Sequence, residues 1–270
     1  MICTLGDLLL DVIVRIDGPI AEDTDTYGST RVGPGGQAAN VAAWVAALGG
    51  SARFIGKRGR DSAGRLLVEE LRSRGVEVAG PEAETGTGTV VSIAGADGRR
   101  TMLTDRGVAV VFRAEELEPR WLDGCETLHV PAYSLVRSPL AETALAAIEL
   151  AGHGGAEISV DVSSTSAVRE YGTDRFGELL ARVGPGYVFA NEAEADLIAG
   201  TELPVLIVKR GVNGCRVIRS GVPTDYPARP TEVVDSTGAG DAFAAGYLLG
   251  GPELALEAAA RCVAKMGATP

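Results

Sequence analysis

Residues 231–249 read TEVVDSTGAGDAFAAGYLL. The β-branched segment before Asp235 predicts a short strand, the following Ser-Thr-Gly-Ala-Gly predicts a tight turn, and Asp241 opens a long apolar helix. A glycine turn that leads into a helix N-terminus directs free backbone amides to one point, and the helix dipole adds positive charge there. The stretch therefore predicts an anion site beside a carboxylate that can accept a proton. The alternative is that Asp241 only caps its helix.

Outside this stretch, apolar runs of strand length alternate with segments of helical periodicity. Strands are predicted at 2–10, 52–56, 126–130, 157–161, 186–190 and 204–209. Helices are predicted at 37–48, at 138–151, and from a cap at Asp61 to about Arg74, and Asn213-Gly214 predicts a hairpin. This alternation predicts an α/β fold, in which a mostly parallel sheet is covered on both faces.

Two polar segments, 12–32 and 85–105, interrupt the pattern and alternate like exposed strands. The sequence DGRR at 97–100 predicts a turn within the second segment. Two such segments inserted into an α/β core predict a small β-sheet that folds over one end as a lid. We expect residues 1–270 to form one domain that carries this lid.

The composition excludes several classes of protein. The 270 residues carry a formal net charge of -11, which disfavours a nucleic-acid partner because phosphate contacts need clustered Lys and Arg. The sequence has no run of 18 apolar residues, so no membrane-spanning helix is expected. The first residues lack the basic region of a signal peptide. The four cysteines are scattered, so reduced thiols in a cytoplasmic protein are expected.

Two motifs resemble one known family. DSTGAGD at 235–241 is similar to the C-terminal signature of ribokinase-like (PfkB) carbohydrate kinases, and GGQAANVAAWVAALG at 35–49 is similar to their N-terminal signature. The resemblance implies a three-layer α/β/α core, a β-lid that often mediates dimers, and ATP with Mg²⁺. It also implies phosphorylation of a primary hydroxyl, with Asp241 as the base and the backbone of Gly238, Ala239 and Gly240 around the transferred phosphoryl group.

The resemblance further implies which residues bind the substrate. Asp11 matches a carboxylate that binds substrate hydroxyls, and it follows the first strand, where α/β proteins bind ligands. Leu9 stands where the family often has Asn, and Gln37 stands where it frequently has Lys, which leaves the substrate class open. The expected substrate-binding residues are Asp11, Gly35, Gly36, Asn40 and Arg106, the last of which is equally well explained as an exposed loop residue.

A third group of residues is expected at the nucleotide. Asn191 and Glu194 match the family's N-x-x-E motif, which acts on Mg²⁺ largely through water, and the same spacing is typical of a helix capping box. By resemblance, a potassium-type ion is expected near Asp235. The remaining residues expected at the nucleotide are Lys209, Gly211, Gly214 and Thr237.

Two other enzyme classes lack their signature residues in this sequence. A Rossmann dehydrogenase needs a glycine fingerprint after the first strand, and a Walker-type NTPase needs Lys-Ser/Thr where Arg65-Leu66 stands. A nucleoside kinase of the same family and a catalytically silent sugar- or nucleotide-binding regulator remain alternatives. An unphosphorylated sugar is the favoured substrate and a nucleoside the second choice, because no cluster of Lys and Arg for a phosphosugar can be placed from the sequence.

Overall fold

The structure is a computed structural model that describes residues 1–84, 86–95 and 100–270. Its strands in chain order are β1 (Ile2–Leu5), β2 (Leu9–Ile16), β3 (Gly28–Gly35), β4 (Ala52–Ile55), β5 (Arg58–Gly59), β6 (Glu77–Ala79), β7 (Glu82–Ala83), β8 (Thr87–Ala94), β9 (Arg100–Gly107), β10 (Thr127–Pro131), β11 (Glu157–Asp161), β12 (Tyr187–Asn191), β13 (Val205–Lys209), β14 (Cys215–Arg219) and β15 (Val222–Tyr226). Its α-helices are α1 (Gln37–Ala47), α2 (Ser62–Ser73), α3 (Leu140–His153), α4 (Thr165–Tyr171), α5 (Thr173–Val183), α6 (Glu192–Leu197) and α7 (Ala239–Val263).

Over these residues the main sheet has nine strands in the order β15-β14-β13-β12-β11-β10-β1-β4-β6. The strands from β13 to β6 are parallel, and β14 and β15 add an antiparallel edge. The predicted hairpin at Asn213-Gly214 joins β13 to β14. The mostly parallel sheet expected from the strand–helix alternation is therefore confirmed.

Helices cover both faces of this sheet. Side chains of α1, α2 and α7 form one buried cluster around Trp44 and Phe54. Side chains of α3 and α5 form a second cluster on the opposite face, which includes Phe176. Successive residues of β1 alternate between the two, since Ile2 packs into the first cluster and Cys3 into the second. This is the predicted three-layer α/β/α arrangement.

The predicted first strand at 2–10 is wrong in its bounds. The chain leaves the main sheet after Leu5 and enters a second sheet at Leu9. The break falls at Gly6, where a Cβ would lie only 2.8 Å from the hydroxyl oxygen of Ser134. Glycine thus allows β1 and the loop after β10 to approach closely at the point where the two sheets separate.

The second sheet, which we call the small sheet, has four strands in the order β3-β2-β8-β9 among the described residues. Strands β2 and β3 extend beyond the predicted segment 12–32 at both ends. Strands β8 and β9 begin at Thr87 and end at Gly107, against the predicted 85–105. The predicted turn at 97–100 lies outside the described residues, apart from Arg100, which begins β9. The parallel pairing of β2 with β8 joins the two chain segments into one sheet.

The short strand predicted before Asp235 is also wrong, because the structure has no strand between β15 and α7. Val233 and Val234 are 57% and 46% exposed, so their β-branched side chains have no sheet to pack on. The amides of Val234 and Asp235 instead donate to the carbonyl of Val263 at the end of α7.

Within the described ranges, none of the helices is long and apolar enough to span a bilayer.

Asp61 caps α2, as predicted, and also joins this helix to the small sheet. Its carboxylate accepts hydrogen bonds from the amide of Gly64 at 2.8 Å and from the amide of Thr87 at 2.9 Å. We expect Asp61→Ala to lower the free energy of unfolding by about 1–3 kcal/mol, since the cap and the partly buried hydrogen bonds from Thr87 are lost together. Urea denaturation measures this loss. Asp174→Ala, which changes an exposed acid in the first turn of α5, is the matched control and should cost only a few tenths of a kcal/mol.

Candidate active site

A cavity of about 610 Å³ opens where the carboxyl ends of β11, β12 and β13 meet the small sheet and the start of α7. In an open α/β fold, this edge of the sheet is where ligands bind. Most of the residues singled out in the sequence line it: Asp11, Gly36, Asn40, Arg106, Asn191, Glu194, Lys209, Gly211, Thr237, Gly238, Gly240 and Asp241. Asp7 and Asp161 also line it and were missed.

The start of α7 forms one wall of the cavity. Gly238 has φ 77°, and a Cβ there would lie 2.5 Å from the Cα of Ala268, so only glycine fits this turn. The helix begins at Ala239, whose amide donates to the carbonyl of Ser236 at 3.3 Å. This amide is therefore not free, although the sequence predicted free amides at this turn. In the described part of the chain, the amides of Gly240 and Asp241 have no hydrogen-bond partner. Two backbone donors and the positive end of the helix dipole are thus available to an anion.

Asp241 lies in the first turn of α7 and is 9% exposed. The side-chain amide of Asn40, from α1, donates to its Oδ2 at 2.8 Å. The pKa of Asp241 is raised to about 7, chiefly because the carboxyl group is buried, with a further rise from the charge of Asp161. The hydrogen bond from Asn40 and the charge of Lys209 oppose this rise. A carboxyl group whose pKa lies near neutrality is suited to accept a proton from a hydroxyl.

Asp11 lies on β2 and faces the same cavity. Burial raises its pKa to about 6. Gly35 does not line the cavity but packs against Asp11, since a Cβ at Gly35 would lie 2.0 Å from a carboxylate oxygen of Asp11. Gly36 has φ 94° and precedes α1, and a Cβ there would meet the carbonyl oxygen of Asp7 at 2.3 Å. The glycine pair thus makes room for Asp11 and for the loop after β1.

Asn191 and Glu194 form the capping box of α6. The amide of Asn191 donates to Oε2 of Glu194 at 2.8 Å, and the amide of Glu194 donates to Oδ1 of Asn191 at 2.9 Å. Glu194 is 4% exposed, and burial raises the pKa of its carboxyl group despite the hydrogen bond from Asn191. The cap and the cavity coincide, so both interpretations of this motif apply to one pair of side chains.

Lys209 and Asp161 form an ion pair between the ends of β13 and β11. The Nζ of Lys209 lies 2.6 Å from Oδ2 of Asp161, which is fully buried. Burial lowers the pKa of Lys209, but the charge and hydrogen bond of Asp161, together with the charges of Glu194 and Asp241, outweigh this effect and leave the pKa above its ordinary value. A Cβ at Gly240 would lie 3.3 Å from the same Nζ, so the ammonium group is next to the free amides of α7. Only the position of Asp161 at a strand end could have indicated it in the sequence.

Arg106 and Asp7 form a second ion pair, which joins β9 of the small sheet to the loop after β1. The Nε and Nη2 of Arg106 donate to the two carboxylate oxygens of Asp7 at 2.6 and 2.8 Å. The side chains are 14% and 10% exposed, respectively. Arg106 is therefore a largely buried strand residue that lines the cavity, and the explanation as an exposed loop residue is wrong.

Gly214 and Asp235 lie outside the cavity lining. Gly214 has φ 82° and approaches the carbonyl of Tyr226, so it serves the β13–β14 connection. The Oδ1 of Asp235 accepts from the amide of Thr237 at 2.9 Å, and its Oδ2 accepts from the amide of Gly267 at 3.0 Å. Asp235 thus orders the turn that leads to Gly238.

Phosphoryl transfer needs a base beside donors that stabilise charge on the phosphoryl group, and the start of α7 holds a buried carboxyl group next to two free amides. The family model described as "pfkB family carbohydrate kinase" matches residues 1–269, and the chain belongs to this family. The predicted enzyme class, a kinase that transfers phosphate to a hydroxyl group, is confirmed by this membership and by the names of the relatives.

Three known proteins are similar to this chain over most of its length. A fructokinase of Klebsiella pneumoniae is 32% identical over 92% of this chain and 83% of its own. An ATP-dependent ribose-1-phosphate kinase of Halopiger xanaduensis is 31% identical over 97% of this chain and 90% of its own. The crystal structure of an adenosine kinase of Sinorhizobium meliloti matches with a TM-score of 0.89 at 26% identity, over 100% of this chain and 95% of the other. By their names, these relatives act on a sugar, a sugar phosphate and a nucleoside.

The raised pKa of Asp241 predicts a pH-dependent cost to folding. Between pH about 4 and about 7 the carboxyl group ionises in the unfolded chain but stays protonated in the fold, so stability falls as the pH rises. We expect Asp241→Asn to gain up to about 4 kcal/mol in free energy of unfolding over wild type at pH 8, and little at pH 4. Urea titrations at the two pH values measure this gain.

Asp225→Asn is the control for that experiment. Hydrogen bonds from Arg216 lower the pKa of Asp225, so its ionised form stabilises the fold above the ordinary pKa. The sign of the difference is therefore opposite, and the Asn variant should be the less stable one at pH 8. A pH-independent gain for Asp241→Asn would contradict the burial argument.

Proposed function

We propose that the chain catalyses ATP-dependent transfer of a phosphoryl group to a primary hydroxyl of a sugar or sugar-like substrate, with Asp241 as the general base. The observation that carries this proposal is the buried carboxyl group of Asp241 beside the unpartnered amides of Gly240 and Asp241. The base and the anion site are then adjacent, as in-line phosphoryl transfer requires.

In the proposed reaction, the substrate hydroxyl lies between Asp11 and Asp241, which line one cavity. Asp241 takes the hydroxyl proton while the hydroxyl oxygen bonds to the γ-phosphorus, and the electron pair of the broken bond leaves with ADP. Asn40 holds the carboxylate in place through its 2.8 Å hydrogen bond. The backbone of Gly238–Gly240 surrounds the transferred group, and the ammonium group of Lys209 adds positive charge beside it.

The nucleotide is assigned to the opposite half of the cavity, at Asn191, Glu194, Lys209, Gly211 and Thr237. The described residues contain no group of three His, Cys, Asp or Glu side chains that forms a metal site. One oxygen of Glu194 already accepts from Asn191, which fits Mg²⁺ held largely through water and phosphate oxygens. Mg²⁺, when bound, neutralises charge on the phosphates. The potassium-type ion at Asp235 stays a prediction. Both carboxylate oxygens of Asp235 already accept hydrogen bonds from backbone amides.

The small sheet is the proposed lid. Its inner face supplies Asp11, Val90, Met102, Thr104 and Arg106 to the cavity, so its closure would remove water that competes as an acceptor.

A cytoplasmic location is part of the same proposal. The four cysteines are free thiols, a state that a reducing compartment maintains, and ATP is the proposed donor.

A nucleoside kinase is the second candidate. The observation that favours it is the match to the Sinorhizobium meliloti adenosine kinase over the whole chain. Phosphorylation rates for fructose, ribose and adenosine, measured side by side, separate the two candidates.

Asp241→Asn tests the proposed function directly. We expect turnover to fall by at least about a thousandfold, with the binding of ATP and substrate retained, because the proton acceptor is lost. The kcat/KM of the wild type should rise with pH and level off above about 7, as the carboxyl group ionises. Coupled ADP-release assays and calorimetry measure these effects. Near-normal turnover in the variant would defeat the role of Asp241, and binding without any product from wild type would favour the silent regulator.

A second copy of this chain is the proposed partner of the outer face of the small sheet. Met102 and Thr104 face the cavity, so Leu103 between them points away from it. The register places Val32, Val12, Val91 and Leu103 side by side across all four strands. Val32 and Leu103 are 52% and 58% exposed, so this row is an apolar stripe open to a partner.

Leu103→Arg tests this dimer. A charge in the centre of an apolar interface is left without a partner, so we expect the dimer to dissociate to a monomer with an unchanged circular-dichroism spectrum. Light scattering coupled to size exclusion gives the mass. Val222→Arg, at a 66% exposed position on the edge strand β15, is the control. An equal mass for wild type and Leu103→Arg would refute the interface.

A further inference from the structure

Every nitrogen of the Arg106 guanidinium has a partner inside the protein. Nε and Nη2 donate to Asp7, and Nη1 donates to the carbonyl of Tyr133 at 3.3 Å. The Tyr133 ring lies beneath the same group, with 5.7 Å between the guanidinium carbon and the ring centroid. Three of the five N–H groups are therefore used, and the positive charge is matched by the buried carboxylate of Asp7.

The other charged groups at this end of the cavity are acidic. Arg106 and Lys209 are the cations among the described lining residues, and each is paired with an aspartate. Lys209 lies at the α7 end, beside Gly240. Asp11 has no cationic partner among the described residues, so the end of the cavity that holds Asp7, Asp11 and Arg106 carries net negative charge when all three are ionised.

We propose that Asp7 is a specificity-determining residue: by ion-pairing with Arg106 it makes this end of the cavity select an uncharged, hydroxyl-bearing substrate and reject phosphorylated or carboxylated ones. This inference rests on the proposed function, which it narrows from sugar-like substrates in general to neutral ones. It assigns a role to a residue that lies in no sequence motif.

The energetic reason is a competition for one guanidinium. A phosphate at the two remaining N–H groups would meet a guanidinium whose charge Asp7 already matches, and would approach both Asp7 and Asp11. To gain the full charge of Arg106 it would have to displace Asp7 and leave a buried carboxylate unpaired. A neutral hydroxyl needs no displacement, because it can accept from one of the two remaining N–H groups of Arg106 and donate to Asp11. Like-charge contact across a binding site is a common means of excluding a wrong ligand.

The first experiment uses pairs of sugars that differ only by a phosphate. We expect wild-type kcat/KM to be at least about tenfold higher for ribose than for ribose 1-phosphate, and for fructose than for fructose 1-phosphate. The gap should narrow at higher ionic strength, because salt screens the repulsion. Dissociation constants from calorimetry with the same sugars repeat the comparison without turnover. Equal or better use of the phosphorylated sugars by wild type would overturn the inference.

The second experiment frees the guanidinium. Asp7→Asn keeps the shape of the side chain but removes its charge, so we expect the preference to shift about tenfold or more toward the phosphorylated sugar. The double variant Asp7→Asn/Arg106→Gln should lose this shift, since the shift depends on Arg106. Asp225 forms a similar bidentate pair with Arg216, at 2.7 and 2.8 Å, outside the cavity. Asp225→Asn removes the charge of that carboxylate and should leave the preference between neutral and phosphorylated sugars unchanged. A shift that persists in the double variant, or that appears with Asp225→Asn, would contradict the role of Asp7.

The two proposals fail in different ways. Asp241-dependent phosphorylation of a phosphosugar in preference to its neutral parent overturns the role of Asp7 and leaves the kinase function intact. Turnover that survives Asp241→Asn defeats the proposed mechanism, while the calorimetric preference between the paired sugars still decides the inference about Asp7.

Discussion

The hydrogen bond between Asn40 and Asp241 joins the first and last helices of the fold and fixes the carboxyl group on which the proposed chemistry depends. Burying a carboxylate is costly unless it is paired or protonated. Here burial and nearby acids move its pKa to about 7, while one amide donor and a lysine partly compensate. Burial of this carboxyl group therefore lowers the stability of the fold and allows the group to exchange a proton near neutral pH.

Positive charge in the cavity is distributed unevenly. At the α7 end, the free backbone amides and the helix dipole favour an anion, while the charge of Lys209 is matched by Asp161. Glu194 and Asp241 also line that end. At the other end, Asp7 matches the charge of Arg106 and Asp11 adds a negative group. In the proposed reaction, the backbone donors of α7 orient the anionic donor, and the acceptor lies at the end where Asp7, Asp11 and Arg106 meet.

Features set by local sequence could be predicted, and features set by distant partners could not. The Gly238–Asp241 turn and the cap at Asp61 were predictable, because glycine and capping residues act within a few positions. The break at Gly6 was not, since the apolar run continues through it and only the approach of Ser134 requires glycine. The strand predicted before Asp235 failed because β-branched residues form strands only where a neighbouring strand is available. Asp7 and Asp161 were missed because their partners, Arg106 and Lys209, lie 99 and 48 positions away.

The pairing of β2 with β8, and of Asn40 with Asp241, has a consequence for how the chain acquires its structure during synthesis. The first strands of the small sheet must wait for β8 before the sheet can close, and the cavity stays open on one side until α7 has left the ribosome. Until α7 has been synthesised, the nascent chain therefore lacks both the proposed base and the helix that buries the apolar face of α1.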